Sequence, residues 1–201
     1  MKTAYIINIG FFVAGGLFYF LTSCGDKKSR TNRGIVQQDT TKQKTIETNE
    51  NAFKALRNMA FATTPEQLEL SLPTDETIVY GIIMDWGIDA ATATIVSYQT
   101  GDTSIYLSSG GGIIGGGQHG NVSRVAKQFV NLGQIFLDKA TKTENTTLAE
   151  NDTIKFYFLT NSGVYLGQEH MKNFENKKSI WLPLFEKANL LLTELRETTE
   201  K

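Results

Sequence analysis

The chain has 201 residues, of which 40% are hydrophobic and 20% charged, and its formal net charge is −1. A surface with nearly balanced charges gives no electrostatic reason to expect a nucleic acid as the partner. The single cysteine, Cys24, excludes an intrachain disulfide and a multi-cysteine metal site.

The first 23 residues have the anatomy of an export signal. Lys2 and the α-amine supply a positive start, and an almost wholly apolar run extends from Ala4 to Leu21. Spread along a helix, about 17 residues reach roughly 25 Å, just short of the hydrocarbon core of a bilayer. The alternative is an uncleaved transmembrane helix, against which the short apolar span and the polar residues after Cys24 both argue.

The residues Leu21-Thr22-Ser23-Cys24 resemble a lipobox, the pattern that the lipoprotein-processing machinery recognises. The resemblance implies a signal peptide over residues 1–23, cleavage after Ser23 and acylation of Cys24. Several acyl chains hold a protein on a membrane far more firmly than one does. We therefore expect a lipoprotein that is exported from the cytoplasm and anchored to a membrane of the bacterial cell envelope. Without Lys2, 19 basic and 21 acidic side chains remain, and they give the mature chain a formal charge of −2.

Residues 24–50 are predicted to form the lipid anchor and a flexible tether. The stretch from Gly25 to Asn49 has no aromatic residue and is dense in Thr, Lys, Gln and Asn. Such a composition buries too little apolar surface to offset the entropy lost on ordering the chain.

Residues 51–201 are predicted to form a single α+β domain. Apolar residues at helical spacing predict a first helix near Phe53, and Thr64-Pro65-Glu66-Gln67 has the residues of a helix start. Three strands are then expected at about residues 78–86, 92–99 and 103–108. The first is apolar on both faces, which is typical of a central strand, and Thr100-Gly101-Asp102 predicts a hairpin between the other two.

The second half of the domain repeats this arrangement with fewer strands. An apolar stripe predicts a helix over residues 122–136, and a polar loop follows at 141–152. Strands at 154–160 and 164–168 are joined by Asn161-Ser162-Gly163, and a last helix covers about 180–196. The order α-βββ-α-ββ-α predicts a five-stranded antiparallel sheet flanked by helices. It looks like the profilin or roadblock type of domain, an analogy of fold only.

The most distinctive segment is residues 108–121, which hold seven glycines in fourteen positions. Such a density of glycine is entropically costly unless the backbone needs the freedom. Gly110, Gly112 and Gly115 match G-x-G-x-x-G, but a dinucleotide fingerprint requires a parallel βαβ unit, whereas this segment ends an antiparallel meander. No Lys-Ser/Thr pair follows the last glycine, so the segment is not a P-loop either.

Three interpretations of this segment are open. In the first, the glycines let the chain cross closely over the sheet while Ile113 and Ile114 enter the core. In the second, amide groups before the next helix bind a small anion or nucleotide. In the third, Ile113 and Ile114 are presented to a protein partner. The candidate binding residues are Ser108, Ser109, Gly110, Gly112, Ile113, Ile114, Gly115, Gln118 and His119, with Asp85 and Trp86 from the first strand.

A catalytic centre has little support in the sequence. The two histidines, His119 and His170, are 51 positions apart, and no G-x-S-x-G elbow is present. We assign no catalytic residue, metal ligand or cofactor. Asp85 is unusual on an apolar strand, although an aspartate near a strand end often caps a turn.

Three stretches, GIIMDWG (residues 81–87), ATATIVSYQTGDTSIYLSSGGGIIGGG (91–117) and FYFLTNSGVY (156–165), resemble a family of small uncharacterised bacterial proteins. The similarity extends to Leu195-Arg196 in the last helix and covers most of residues 53–196. It transfers a motif pattern and no activity. The leading hypothesis is a membrane-tethered, non-enzymatic binding or scaffolding module, and the alternative is a small-anion or nucleotide-binding domain, possibly enzymatic, that uses the loop from Gly110 to His119.

Overall fold

A computed structural model describes residues 40–199, with side chains from residue 50 onward. The predicted signal peptide, the predicted acylation site Cys24 and most of the predicted tether lie outside the described residues. Within the described part, no helix is both long enough and apolar enough to span a bilayer.

The described residues form four α-helices and a sheet of seven strands. The helices are α1 (Thr40–Ala62), α2 (Gly120–Phe136), α3 (Met171–Glu175) and α4 (Leu182–Glu197). The strands are β1 (Val79–Ile88), β2 (Ala91–Tyr98), β3 (Thr103–Leu107), β4 (Gly112–Ile113), β5 (Thr141–Thr143), β6 (Thr153–Thr160) and β7 (Gly163–His170). Single 3₁₀ turns cover Glu66–Leu68, Gly116–Gln118 and Leu137–Lys139.

The α+β class and the antiparallel sheet with flanking helices are confirmed, but the prediction of five strands is wrong. The sheet order is β4-β3-β2-β1-β6-β7-β5, and every neighbouring pair is antiparallel. The two additional strands are the short edge strands β4 and β5. Strand β4 lies inside the glycine segment and β5 inside the predicted polar loop. Each has only two or three paired residues at a sheet edge. Such strands are too short to show an alternating apolar pattern in the sequence.

Strand β1 occupies the centre of the sheet, as its two apolar faces predict. It pairs with β2 on one side and with β6 on the other. Ile82 and Met84 point into the larger core, which the sheet forms with α2 and α4. Ile83 points into the smaller core, beneath α1. The sheet is therefore covered on both faces, and α1 lies on the face opposite to α2 and α4.

Helix α1 extends further toward the N-terminus than the first predicted helix. It begins at Thr40, within the segment for which composition predicts a tether, and it contributes Phe53 and Ala60 to the smaller core. After it, the predicted helix start at Thr64 proves to be a single 3₁₀ turn. The Thr64 amide donates to Gln67 Oε1 at 2.9 Å, and the Gln67 amide donates to Thr64 Oγ1 at 3.4 Å. This reciprocal pair is a capping box.

Candidate functional site

Asp85 lies at the centre of the sheet, and its carboxylate is fully buried beneath α1. Arg57, which is 6% exposed, reaches down from α1 to meet it. Arg57 Nε donates to both carboxylate oxygens, at 3.3 and 3.1 Å, and Nη2 donates to Oδ2 at 2.5 Å. Thr94, the partner of Asp85 in the β1–β2 register, adds a hydrogen bond from its hydroxyl at 2.6 Å. Asp85 therefore anchors a helix to the sheet and does not cap a turn.

Aromatic rings line the path of the Arg57 side chain to Asp85. The guanidinium carbon lies 4.7 Å from the centroid of the Phe61 ring and 5.6 Å from that of Tyr157. Rings at this distance attract a cation through their quadrupoles and exclude water. The pair is thus both charge-matched and desolvated, so separating α1 from β1 would leave a buried charge without its partner.

Two further polar side chains on β6 extend the buried cluster toward the loop before that strand. Lys155 sits opposite Asp85 in the β1–β6 register, and its Nζ donates to Thr147 O, Thr147 Oγ1 and Leu148 O at 3.1–3.2 Å. Tyr157 donates its hydroxyl to Thr147 O at 2.5 Å. Burial, followed by the negative charge of Asp85, raises the pKa of Tyr157 to about 12.

The cluster of Arg57, Asp85, Thr94, Lys155 and Tyr157 is fully satisfied. Among the described residues, no buried side-chain nitrogen or oxygen is without a hydrogen-bond partner. A saturated network of this kind fixes α1 and the loop near Thr147 against the sheet. The sequence analysis did not predict this cluster. Two signals could have indicated it: Arg57 lies on the same helical stripe as Phe53 and Ala60, and Asp85 lies on an apolar strand.

Trp86 follows Asp85 in the chain but points to the opposite face of the sheet. Its ring packs edge-on against Phe185 of α4, with centroids 5.5 Å apart and an interplanar angle of 82°. Strand alternation thus separates these two candidate residues by the thickness of the sheet. The fold does not bring Asp85 and Trp86 into one site.

The glycine segment is fastened to the sheet at its start. Ser108 exchanges hydrogen bonds with Thr92, whose amide donates to Ser108 Oγ at 2.7 Å while the Ser108 amide donates to Thr92 O at 2.9 Å. Ser109 is exposed in the turn that follows. Gly110 has φ +104° and closes that turn with a hydrogen bond to Leu107 O at 2.9 Å.

Close packing accounts for part of the glycine content. Gly112 has φ +150°, and a Cβ there would lie 2.2 Å from Ile105 O. A Cβ at Gly116 would lie 2.3 Å from Leu195 Cδ2, and one at Gly117 would lie 2.6 Å from Gly101 O. Gly120, in contrast, has open space around its Cβ position.

The two isoleucines of the segment have different environments. Ile113, in β4, is half-buried against the larger core. Ile114 is 68% exposed. Gly115 follows with φ +74°, and its amide donates to Ser104 Oγ at 3.3 Å. Gln118 and His119 are exposed just before α2. Only Ile114 of the two is therefore available to a binding partner.

An apolar groove of about 290 Å³ runs between the glycine segment and α1. The residues that line it include no charged side chain: they are Ala52, Phe53, Leu56, Tyr106, Leu107, Gly110, Gly111, Gly112 and Ile114. A second groove of about 240 Å³, on the side of α1 toward Thr147, is lined in part by Lys54 and Arg57. Residues of both the glycine segment and α1 line the first groove. We therefore take this groove, together with Ile114, as the candidate binding site.

The two histidines lie far apart in the fold. His119 is exposed where α2 begins, and His170 ends β7, where its Nδ1 lies 3.4 Å from Thr153 Oγ1. The described residues contain no group of three or more His, Cys, Asp or Glu side chains arranged to hold a metal ion. No family model, no curated protein and no solved structure matches the chain.

Proposed function

We propose that the protein is a lipoprotein of the bacterial cell envelope, held to a membrane through acylated Cys24. The proposal is supported by the sequence Leu21-Thr22-Ser23-Cys24 behind an apolar run, a pattern of the kind used for export and lipid attachment. Its test is metabolic labelling with a fatty acid, followed by fractionation of the cells. Label in the native chain and none in Cys24→Ser would support it, while equal labelling of both chains would contradict it.

We propose further that the anchored domain is a non-enzymatic binding or scaffolding module. The observation that carries this proposal is the uncharged groove between α1 and the glycine segment, with the exposed side chain of Ile114 beside it. Contiguous exposed apolar surface is typical of interaction sites, and Ile114 extends the apolar surface of the groove. The saturated cluster around Asp85 supports the same conclusion, because it gives the groove a rigid wall.

The binding proposal is tested by photo-crosslinking in cells. A photoreactive residue at position 114 should form specific crosslinks to envelope components. The same residue at position 135 is a matched control, since Ile135 is 71% exposed and lies on α2, across the sheet from α1. Equal crosslinking from both positions would contradict the proposed surface.

The profilin or roadblock type remains our proposal for the finer fold class. It is supported by a central antiparallel sheet between a helix on one face and helices on the other. The analogy concerns architecture alone and assigns no residue a role.

A second candidate function is the binding of a small anion at the start of α2. One observation favours it: no side chain caps this helix, whose first residue is Gly120. Uncapped amides at a helix N-terminus carry partial positive charge and suit anions. A phosphate or nucleotide present at 100 times its dissociation constant should stabilise the fold by about 2.7 kcal/mol. Asn121→Asp places a negative charge in the first turn of α2 and should abolish the stabilisation by the ligand. If no phosphate or nucleotide stabilises the native protein against unfolding, this candidate is excluded.

A further inference from the structure

We propose that the glycine segment is a second membrane contact, in which Ile114 inserts into the same bilayer that holds Cys24. The inference rests on the proposed lipid anchor, and it names a lipid surface as the partner of the candidate site. Three features of the chain carry it: the exposure of Ile114, the lack of charged residues beside it in the sequence and in the groove lining, and the limited length of chain between the anchor and α1.

The charge pattern favours lipid over a charged partner. From Thr103 to Ser123 the sequence has 21 consecutive residues without Asp, Glu, Lys or Arg, in a chain that is 20% charged. The residues lining the adjoining groove are uncharged as well. Charged groups are costly to bring to the apolar part of a membrane, so an exposed isoleucine without charged neighbours in sequence can enter it cheaply. Glycine and serine around it add no bulk that would hold the side chain away from the lipid.

The covalent path limits how far this surface can move from the bilayer. Sixteen residue steps separate Cys24 from Thr40, where α1 begins, and even fully extended they span at most about 55 Å. Phe53, which lines the groove, lies about 20 Å further along the helix. Because the anchor confines the domain near the membrane, the effective concentration of lipid is high and a weak second contact is sufficient to orient the domain.

The experiment uses the mature lipoprotein, extracted from membranes and reconstituted in phosphatidylcholine vesicles that carry a nitroxide on a fraction of their acyl chains. Acylation consumes the thiol of Cys24, the only cysteine. A fluorophore on Ser109→Cys, an exposed position in the turn before β4, therefore reports on the glycine segment alone. The nitroxide lipids should quench this fluorophore, and salt should not change the quenching.

The second variant separates insertion of Ile114 from mere proximity. Ile114→Glu in the labelled chain should remove most of the quenching, whereas Ile135→Glu should leave it unchanged. The two isoleucines are matched, with exposures of 68% and 71%, and lie beside opposite faces of the sheet. Unchanged thermal unfolding of both variants shows that neither substitution has unfolded the domain.

Three results would overturn the inference. One is a fluorophore that stays unquenched although the protein is on the vesicles. Another is a fluorophore that lipid nitroxides do not quench but that becomes more shielded from water as the density of protein on the vesicles rises. A second copy of the chain would then cover the segment. The third is a chain that takes up two fluorophores, which would reveal a free thiol at Cys24. That result alone would overturn the proposed anchor as well, so the two failures are distinguishable.

Discussion

Arg57 on α1 and Asp85 on β1 form a buried ion pair, in which the guanidinium contacts both carboxylate oxygens. The residues are 28 positions apart in the chain and belong to different layers of the fold. Two tyrosines on the same face of the sheet add hydrogen bonds to this region. The Tyr80 hydroxyl donates to Thr63 O and the Tyr98 hydroxyl donates to Ala60 O, both at 2.9 Å. The helix that forms one wall of the candidate site is thus fixed by polar contacts as well as by its apolar stripe.

Removing one member of this pair should destabilise the domain strongly. Asp85→Ala leaves the Arg57 charge buried without its partner, and we expect a loss of about 3–5 kcal/mol in the free energy of unfolding. Replacing both residues, by Asp85→Leu with Arg57→Met, should cost clearly less than the sum of Asp85→Leu alone and Arg57→Met alone. Urea denaturation of these four variants measures the differences.

A surface pair provides the control for this series. Lys54 and Glu50 form an exposed ion pair on the same helix, at 2.6 Å, and Lys54→Met should cost no more than about 0.5 kcal/mol. If Asp85→Ala cost no more than Lys54→Met, the buried pair would not fix α1 to the sheet.

The buried tyrosines should make the domain sensitive to alkali. Burial raises the pKa of Tyr98 to about 12, and burial with the nearby Asp85 charge raises the pKa of Tyr157 to about 12. Both lie above the ordinary value of 10.0, so the fold favours the neutral phenols. Their contribution to stability is complete below pH 10 and is lost as the pH rises toward 12.

The measurement for the tyrosines is the free energy of unfolding against pH, together with the ultraviolet absorbance of tyrosinate. We expect stability to fall over this range, and Tyr157→Phe to reduce the slope because it removes one titrating group. Unfolding free energies that stay level from pH 10 to pH 12 would contradict the raised pKa values.

Two glycines of the glycine segment, Gly112 and Gly120, should respond differently to substitution by alanine. Gly112→Ala places a Cβ against the carbonyl of Ile105 at a φ that side chains rarely adopt, and we expect a loss of more than about 1 kcal/mol. Gly120→Ala adds a methyl group in open space at the first residue of α2. It should be neutral or stabilise the domain by up to about 1 kcal/mol. Thermal unfolding compares them, and similar losses for both would mean that close packing does not determine the identity of residue 112.

Lys155 should hold the loop around Thr147 in place. Its ammonium group donates to three oxygens of that loop, and Lys155→Met removes all three donors. We expect faster amide hydrogen exchange in residues 144–149, with little change in α2. Lys139→Met is the control, because Lys139 pairs with its neighbour Asp138 at the surface. Unchanged exchange in the loop would show that Tyr157 is sufficient to hold it.

Local patterns in the sequence predicted the main elements of the domain correctly. The two apolar faces of residues 78–86 predicted a central strand, which is β1, and Gly101 and Gly163, both with positive φ, marked the two hairpins that the structure confirms. The apolar stripe of residues 122–136 predicted α2 to within two residues of its start. These signals were readable because a face, a turn or a stripe depends on residues only a few positions apart.

What the sequence by itself determined is therefore the set of long elements, their antiparallel hairpins and the lipobox-like segment around Cys24. Only the tertiary structure decided that Arg57 meets Asp85, that β4 and β5 extend the sheet to seven strands, and that Ile113 is half-buried while Ile114 is exposed. Each of these depends on which distant segments become neighbours. Short edge strands and buried ion pairs are stabilised by those neighbours. An edge strand of two or three residues is too short to show a periodic pattern, and a charged residue on an apolar stripe does not show which distant residue it pairs with.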